Sequence, residues 1–285
     1  MKHPYRDYVA AFAALRARAH ALPLGGMASV AVPSASNGPR VLIFAPHPDD
    51  ECITGALPLR LLRERGARVG VVPVTLGSRI ERRLERLQEL RGALAFLGWE
   101  LVPAGEGGWT DISIQGRSRN PENWLRAVRA MADLLARERP VVVCFPHGGD
   151  WNGTHIGTHA LLMDALASLP PDFRCNVIET EFWGANAEPN LMIESSADDV
   201  ADLVAALSFH VGEVARNPYH LSLPAWMADN VRRGGELVGG QGGAAPDFQF
   251  ATLYRLREWN GQSLSDIFPG GRVMSVDSDL AELFG

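Results

Sequence analysis

The chain has 285 residues and a net charge of -6, so it lacks the basic footprint that nucleic-acid binding leaves. It is 46% hydrophobic and 21% charged, which fits a globular chain with a sizeable core, and no apolar run approaches the length of a membrane span. Three cysteines, Cys52, Cys144 and Cys175, lie in apolar contexts and read as buried thiols of a reducing compartment, not as a disulfide framework. Arg16 and Arg18 interrupt any apolar leader, so a signal peptide is not expected and a cytoplasmic location is.

Tyr5, Val9, Phe12, Leu15, Ala19 and Leu22 recur at three- and four-residue steps, which predicts a helix covering the sheet or a neighbouring subunit. Pro23 and Gly25-Gly26 end it, and residues 27–39 read as a linker. Val41 to Ala45 is a continuous apolar run of the kind a buried parallel strand shows. Pro46 and Pro48 stop sheet pairing and frame His47, Asp49, Asp50 and Glu51. The chain thus leaves a buried strand and at once presents one imidazole and three carboxylates, which repel unless a cation or solvent is at hand.

A crossover helix with Leu57, Leu59, Leu61 and Leu62 follows, ending at Gly66, and Val69 to Val74 is a second strand stopping at Thr75-Leu-Gly-Ser78. Residues 80–97 predict an arginine-rich helix with Leu84, Leu87, Leu90, Leu94 and Leu97 inward and mostly solvated charge pairs outward. Leu101-Val102 is a short strand, and residues 105–120, with Trp109 and Asp111, are a surface loop. Pro121 opens a helix to about Arg139. Val141 to Phe145 is a fourth buried strand, ending in Pro146-His147 and the run Gly148 to His155, with Thr154 expected to cap a helix to Leu169.

Strands are expected at Val177–Phe182 and Leu191–Glu194, a helix from Asp198 to Val214, and a late strand from Phe248 to Tyr254. Residues 216–247, rich in Pro and Gly, read as a flexible loop or lid, and residues 255–285 carry no functional signal. Strand–helix alternation through residue 169 predicts a single α/β domain over 1–285, with a Rossmann-like, mostly parallel sheet and helices on both faces.

In such sheets ligands bind outside the carboxyl ends of the strands. The two strand ends, His47 to Asp50 and His147 to His159, can therefore meet, offering two imidazoles and one carboxylate for a metal, plus a spare carboxylate. Three protein ligands with an open position is the pattern of a catalytic zinc. Asp49 and Asp50 are adjacent and point differently, so one can ligate while the other takes a proton from water.

Pro46-His-Pro-Asp-Asp-Glu51 after a first strand, with Thr154-His155 opening a later helix, resembles the PIG-L/LmbE-like family of zinc-dependent de-N-acetylases acting on N-acetylglucosaminyl conjugates; the resemblance spans about residues 40–210. It implies His47, Asp50 and His155 as zinc ligands and Asp49 as general base. Arg86-Leu-Gln-Glu89 resembles the family's Arg-x-x-Glu helix, which brings Arg86 to the site to position or screen Asp49, and Asp111 matches an aspartate after the third strand. Where the family has His-Pro-Asp-His this chain has Asn152-Gly-Thr-His155, and Thr75-Leu-Gly-Ser78 departs from Thr-x-Gly-Glu. Asn152 donates a hydrogen bond but no proton, so the electrophilic role falls to Asn152, His147, His159, His210 or His220.

The implied function is zinc-dependent removal of an N-acetyl group, with Arg86 and Asn152 as substrate-binding candidates and a small N-acetyl amino sugar as partner. A homo-oligomer stays an open option. Two alternatives remain at this level. A non-haem iron oxygenase shares the set of two histidines and one carboxylate but usually sits on a jelly roll. A non-catalytic sugar- or nucleotide-binding module would have no need of Asp49.

Overall fold

A computed structural model of the chain describes residues 3–30, 37–105 and 107–284. In chain order the elements are α1 (Tyr5–Ala19), β1 (Arg40–Ala45), α2 (Leu57–Arg65), β2 (Arg68–Pro73), α3 (Arg83–Leu97), β3 (Glu100–Leu101), α4 (Ile114–Arg119), α5 (Pro121–Glu138), β4 (Val142–Pro146), α6 (Gly153–Ala167), β5 (Cys175–Thr180) and β6 (Leu191–Glu194). After these come α7 (Ala197–Leu207), α8 (Val211–Val214), α9 (Leu223–Leu237), β7 (Ala251–Trp259), β8 (Leu264–Asp266) and β9 (Arg272–Met274).

One sheet runs β3-β2-β1-β4-β5-β7-β6-β9, with β8 paired to β7. The strands from β3 to β5 are parallel, β7 is antiparallel to both β5 and β6, and β9 is parallel to β6. The expected mostly parallel, helix-flanked sheet is what forms. β1 is buried throughout, and its alternate residues feed opposite faces of the sheet. Val41, Ile43 and Ala45 join a core with α2, α3 and α7, whereas Leu42 and Phe44 join a second core with α5 and α6. Burial on both faces is why the strand reads as an unbroken apolar run. From β1 the order runs to β2 and β3 on one side and to β4 and β5 on the other. The carboxyl ends of β1 and β4 therefore flank the point where the strand order reverses, where a crevice opens in such sheets.

Several expectations are corrected. The segment 216–247 is a loop only in part: it holds a 3-10 turn at Tyr219–Ser222 and the 15-residue α9, with Pro224 in its first turn, and residues 238–247 are irregular. The two glycines inside α9, Gly234 and Gly235, serve packing. A Cβ on Gly234 would collide with Met192 Sδ, so the helix touches the sheet there only because the side chain is missing. α1 forms as predicted but buries none of its residues, and its apolar stripe faces outward. Leu84, expected inward, is 78% exposed, because the helix begins only at Arg83 and its first turn stands clear of the sheet. Within 105–120 a short helix, α4, is capped by Ser113. The cap of α6 is Asn152, whose side chain accepts from the Thr154 amide, in place of Thr154. The segment 255–285, silent in sequence, contributes most of β7 together with β8 and β9. Of the predicted linker, residues 31–36 lie outside the described residues, while the Val30 amide donates to the carbonyl of Phe96. Among the described residues, no helix is long and apolar enough to cross a membrane.

Candidate metal centre and its surroundings

The turn after β1 folds back on itself through its own carboxylates. The His47 amide donates to Asp50 Oδ2 at 2.9 Å, and the Asp49 amide donates to Glu51 Oε2 at 2.9 Å. Between them Asp49 adopts φ 116° and ψ -32°, a left-handed conformation that costs a non-glycine residue roughly 1–3 kcal/mol. The surroundings hold it there. Arg86, projecting from α3, donates to the carbonyl of Pro48 at 2.6 Å, and Thr75 at the end of β2 donates to the carbonyl of Pro46 at 2.8 Å. Glu51 is fully enclosed and is bound by His210 Nε2 at 2.7 Å. Strain at this point sets two adjacent carboxylates to different tasks.

Asp50 Oδ2 lies 3.2 Å from His47 Nδ1 and 3.2 Å from Nε2 of the fully buried His155, the third residue of α6. The ligand atoms of His47, Asp50 and His155 all lie within 4.8 Å of one another. Both ring nitrogens of His155 are buried without a hydrogen bond, and Nε2, on the side of Asp50, is placed to ligate a metal. Two imidazoles and a carboxylate suit a borderline divalent ion. Asp150 Oδ2 stands 3.4 Å from His155 Nδ1, on the far side of the ring, where a carboxylate fixes a ligating imidazole. Phe182 packs its edge against the same ring at 5.1 Å. Burial works to raise the Asp50 carboxyl, but the two histidines outweigh it and hold it well below the usual range. Burial works to lower the His155 imidazole, and Asp50 with Asp150 pushes it up to about 10. The residues present fit a metal ion.

Asp49 stays outside this set. Its Oδ2 accepts from the Tyr219 hydroxyl at 2.6 Å and lies 3.5 Å from Arg86 Nη2. Burial and the neighbouring Asp50 push its carboxyl up to about 7, against the opposing pull of His210, Arg86 and Tyr219. A carboxyl poised there takes and returns protons near neutrality.

A cavity of about 650 Å³ opens beside His47, with a mixed wall in which Ile80, Trp109 and Ile112 stand among polar groups including Ser78, Arg83, Asp111, Asn152 and Thr154. Asn152 thus stands both at the cavity and at the start of the helix carrying His155. Arg86 does not line this cavity; it faces Asp49 and the Arg82–Glu213 pair. Of the four spare histidines, none lines the cavity. His147 bonds the carbonyl of Gly184 and His159 that of Pro146, His210 braces Glu51, and His220 is buried near α9. Sequence reading did not assign Tyr219, Asp150 or Arg83. Asp150 lies within the run Gly148 to His155 and was legible by its place near His155. Tyr219 had no signal, since 170 residues separate it from Asp49.

The model of the PIG-L family, described as GlcNAc-PI de-N-acetylase, matches residues 42–166, which contain all three candidate ligands. A 1D-myo-inositol 2-acetamido-2-deoxy-alpha-D-glucopyranoside deacetylase of Mycolicibacterium gilvum is 30% identical over 196 residues, covering 57% of this chain and 69% of the relative. The chain belongs to the PIG-L family. The equally named deacetylase of Mycolicibacterium smegmatis is 32% identical over 163 residues, 48% of this chain and 56% of that protein. The chain thus spans little more than half the length of that PIG-L relative. In fold the chain is similar to the conserved protein TT1542 from Thermus thermophilus, with a TM-score of 0.58 and 23% identity over 75% of this chain and 93% of the other.

Proposed function

We propose that this PIG-L member is a zinc-dependent hydrolase that removes the N-acetyl group from an N-acetylglucosaminyl-type conjugate. One observation carries the reading. A His-Asp-His cluster, which meets a cavity through His47, stands beside a second carboxylate, that of Asp49, which is held outside the cluster by Tyr219. The names of the PIG-L relatives, which are deacetylases of an acetamido sugar, support the substrate class.

His47, Asp50 and His155 would hold the ion. When bound, it supplies Lewis acidity towards water and towards the acyl oxygen. The remaining work falls to the chain. Asp49 takes a proton from the attacking water as its oxygen bonds the acyl carbon. The carbon–nitrogen bond then breaks, and Asp49 returns the proton to the departing amine, leaving a carboxylate and a free amino sugar. Tyr219 and Arg86 fix the Asp49 carboxylate, and Asp150 fixes the His155 ring. The Asn152 amide and the Thr154 hydroxyl, both at the cavity wall, are the donors within three residues of His155. Arg83 and Asp111 offer a cation and an acceptor to sugar hydroxyls. The oxygenase alternative expected a jelly roll, and the sheet here is mostly parallel.

The test is release of free amine from N-acetylglucosaminyl compounds, including the inositol conjugate, by zinc-loaded protein. Amine release that disappears on chelation and returns with zinc is the expected result. No release from any member of the panel would refute the reading.

A further inference from the structure

A second cavity borders the centre, and the mechanism above leaves it without a task. About 220 Å³ lies in a mostly apolar cleft, open on one side, lined chiefly by Ile53, Phe182, Trp183, Tyr219, Leu223 and Trp226. It shares no lining residue with the polar cavity, yet both border the same centre. The polar cavity reaches it through His47, Asn152 and Thr154. The apolar one reaches it through Phe182, whose edge lies against the His155 ring, and through Tyr219, whose hydroxyl bonds Asp49. Trp183, 42% exposed, packs edge-on to Tyr219 at 5.4 Å and forms the outer rim.

An amide cleaved between these cavities has two substituents to place. The one on nitrogen is a polyhydroxylated sugar, which matches Arg83, Asp111 and Ser78 in the polar cavity. The one on the carbonyl carbon is then left to the apolar side. A single methyl group cannot fill a cavity walled by two tryptophans, and apolar volume left unfilled forgoes burial that a longer chain would gain. We propose that the apolar cavity receives the acyl chain, so that beyond N-acetyl sugars the site also takes, and favours, amino sugars carrying a medium-length N-acyl group. This rests on the amide-hydrolysis reading above. The bonds are the same: water oxygen joins the acyl carbon, the carbon–nitrogen bond breaks, and the amine leaves with the proton while the fatty carboxylate stays behind.

The test uses the whole, metal-loaded protein and glucosamine bearing N-acetyl, N-butanoyl, N-hexanoyl or N-octanoyl groups, with octyl N-acetylglucosaminide as a separate arm. A fully buried methylene is worth roughly fourfold in binding, so kcat/KM should rise at least ~20-fold from acetyl to hexanoyl. Ser222→Phe, which fills the cavity from its half-buried rim, should cut the hexanoyl-to-acetyl ratio at least ~10-fold, as loss of about two buried methylenes would. Trp226→Ala should move the optimum to longer chains, and it decides the matter if Ser222→Phe fails to fold. A flat or falling profile with acetyl still cleaved overturns the proposal. So does a ratio that neither folded variant changes, or a gain confined to the octyl glycoside, which would give the cavity to the aglycone. Failure of every N-acyl sugar to release amine instead defeats the amide-hydrolysis reading itself.

Discussion

Replacing Asp49 with asparagine separates catalysis from stability in one variant. The side chain is nearly isosteric, its oxygen can still accept from Tyr219, and asparagine tolerates the positive φ at this position as well as aspartate does. Burial and Asp50 push the Asp49 carboxyl from an ordinary 3.8 up to about 7. For an acid whose folded value is raised, the stability present below pH 3.8 is lost as pH climbs towards 7. At pH 8 the wild type therefore carries an ionised group that the fold disfavours. About three units at about 1.4 kcal/mol each set a ceiling of roughly 4 kcal/mol. The Arg86 attraction is already contained in that balance, and relaxation around the ionised carboxylate reduces the cost, so metal-stripped Asp49→Asn should be more stable than wild type by about 1–3 kcal/mol. For a chain of 285 residues that is a rise in Tm of about 2–5 °C. Turnover should fall at least ~100-fold, because the base is gone, while zinc content is kept. Calorimetry at pH 8, metal analysis and amine release test this together. An active variant with full zinc would place the base elsewhere. An inactive but destabilised variant would mean that the Asp49 carboxylate is a structural anchor, and the argument from burial would fail.

Other perturbations follow from the same geometry. Tyr219→Phe removes a donor to ionised Asp49, so the acidic limb of the kcat/KM profile should move to higher pH; an unmoved limb would detach Tyr219 from the base. Asp150→Asn should weaken zinc affinity about 10- to 100-fold, measured by competition with a chromogenic chelator, and unchanged affinity would deny it the bracing of His155. Arg86→Ala should lower kcat, whereas Arg83→Ala, at the polar cavity, should mainly raise KM; equal effects on both constants would erase the distinction. Burial works to lower the His210 imidazole, but Glu51 outweighs it, so its folded value is raised. Its stabilisation is then complete below about pH 6.5 and lost as pH rises through that raised value. The Tm gap between wild type and His210→Gln should be widest below pH 6.5 and narrow as the pH is raised.

The sequence by itself determined the parallel strands and the ligand-bearing turn. Burial on both faces forces β1 and β4 to be apolar without interruption, and the prolines that stop pairing deliver His47, Asp49 and Asp50 within a few residues of a strand end. His155 was legible for the same reason, since the strand and helix around it fix where it points. Such features depend on neighbours in the chain. The C-terminal third decided the rest, through contacts no local pattern records. Tyr219 on Asp49, His210 on Glu51 and the apolar cavity between α9 and the turn after β1 join residues more than 150 positions apart. The glycines of α9 read as a loop because intrinsic propensity disfavours glycine in a helix, and it is packing against Met192 and Leu253 that reverses this. Which aspartate faces the histidines and which stays apart was open to spacing alone. It was decided by the strained backbone at Asp49, which turns one carboxylate to the histidines and the other to Tyr219 and Arg86.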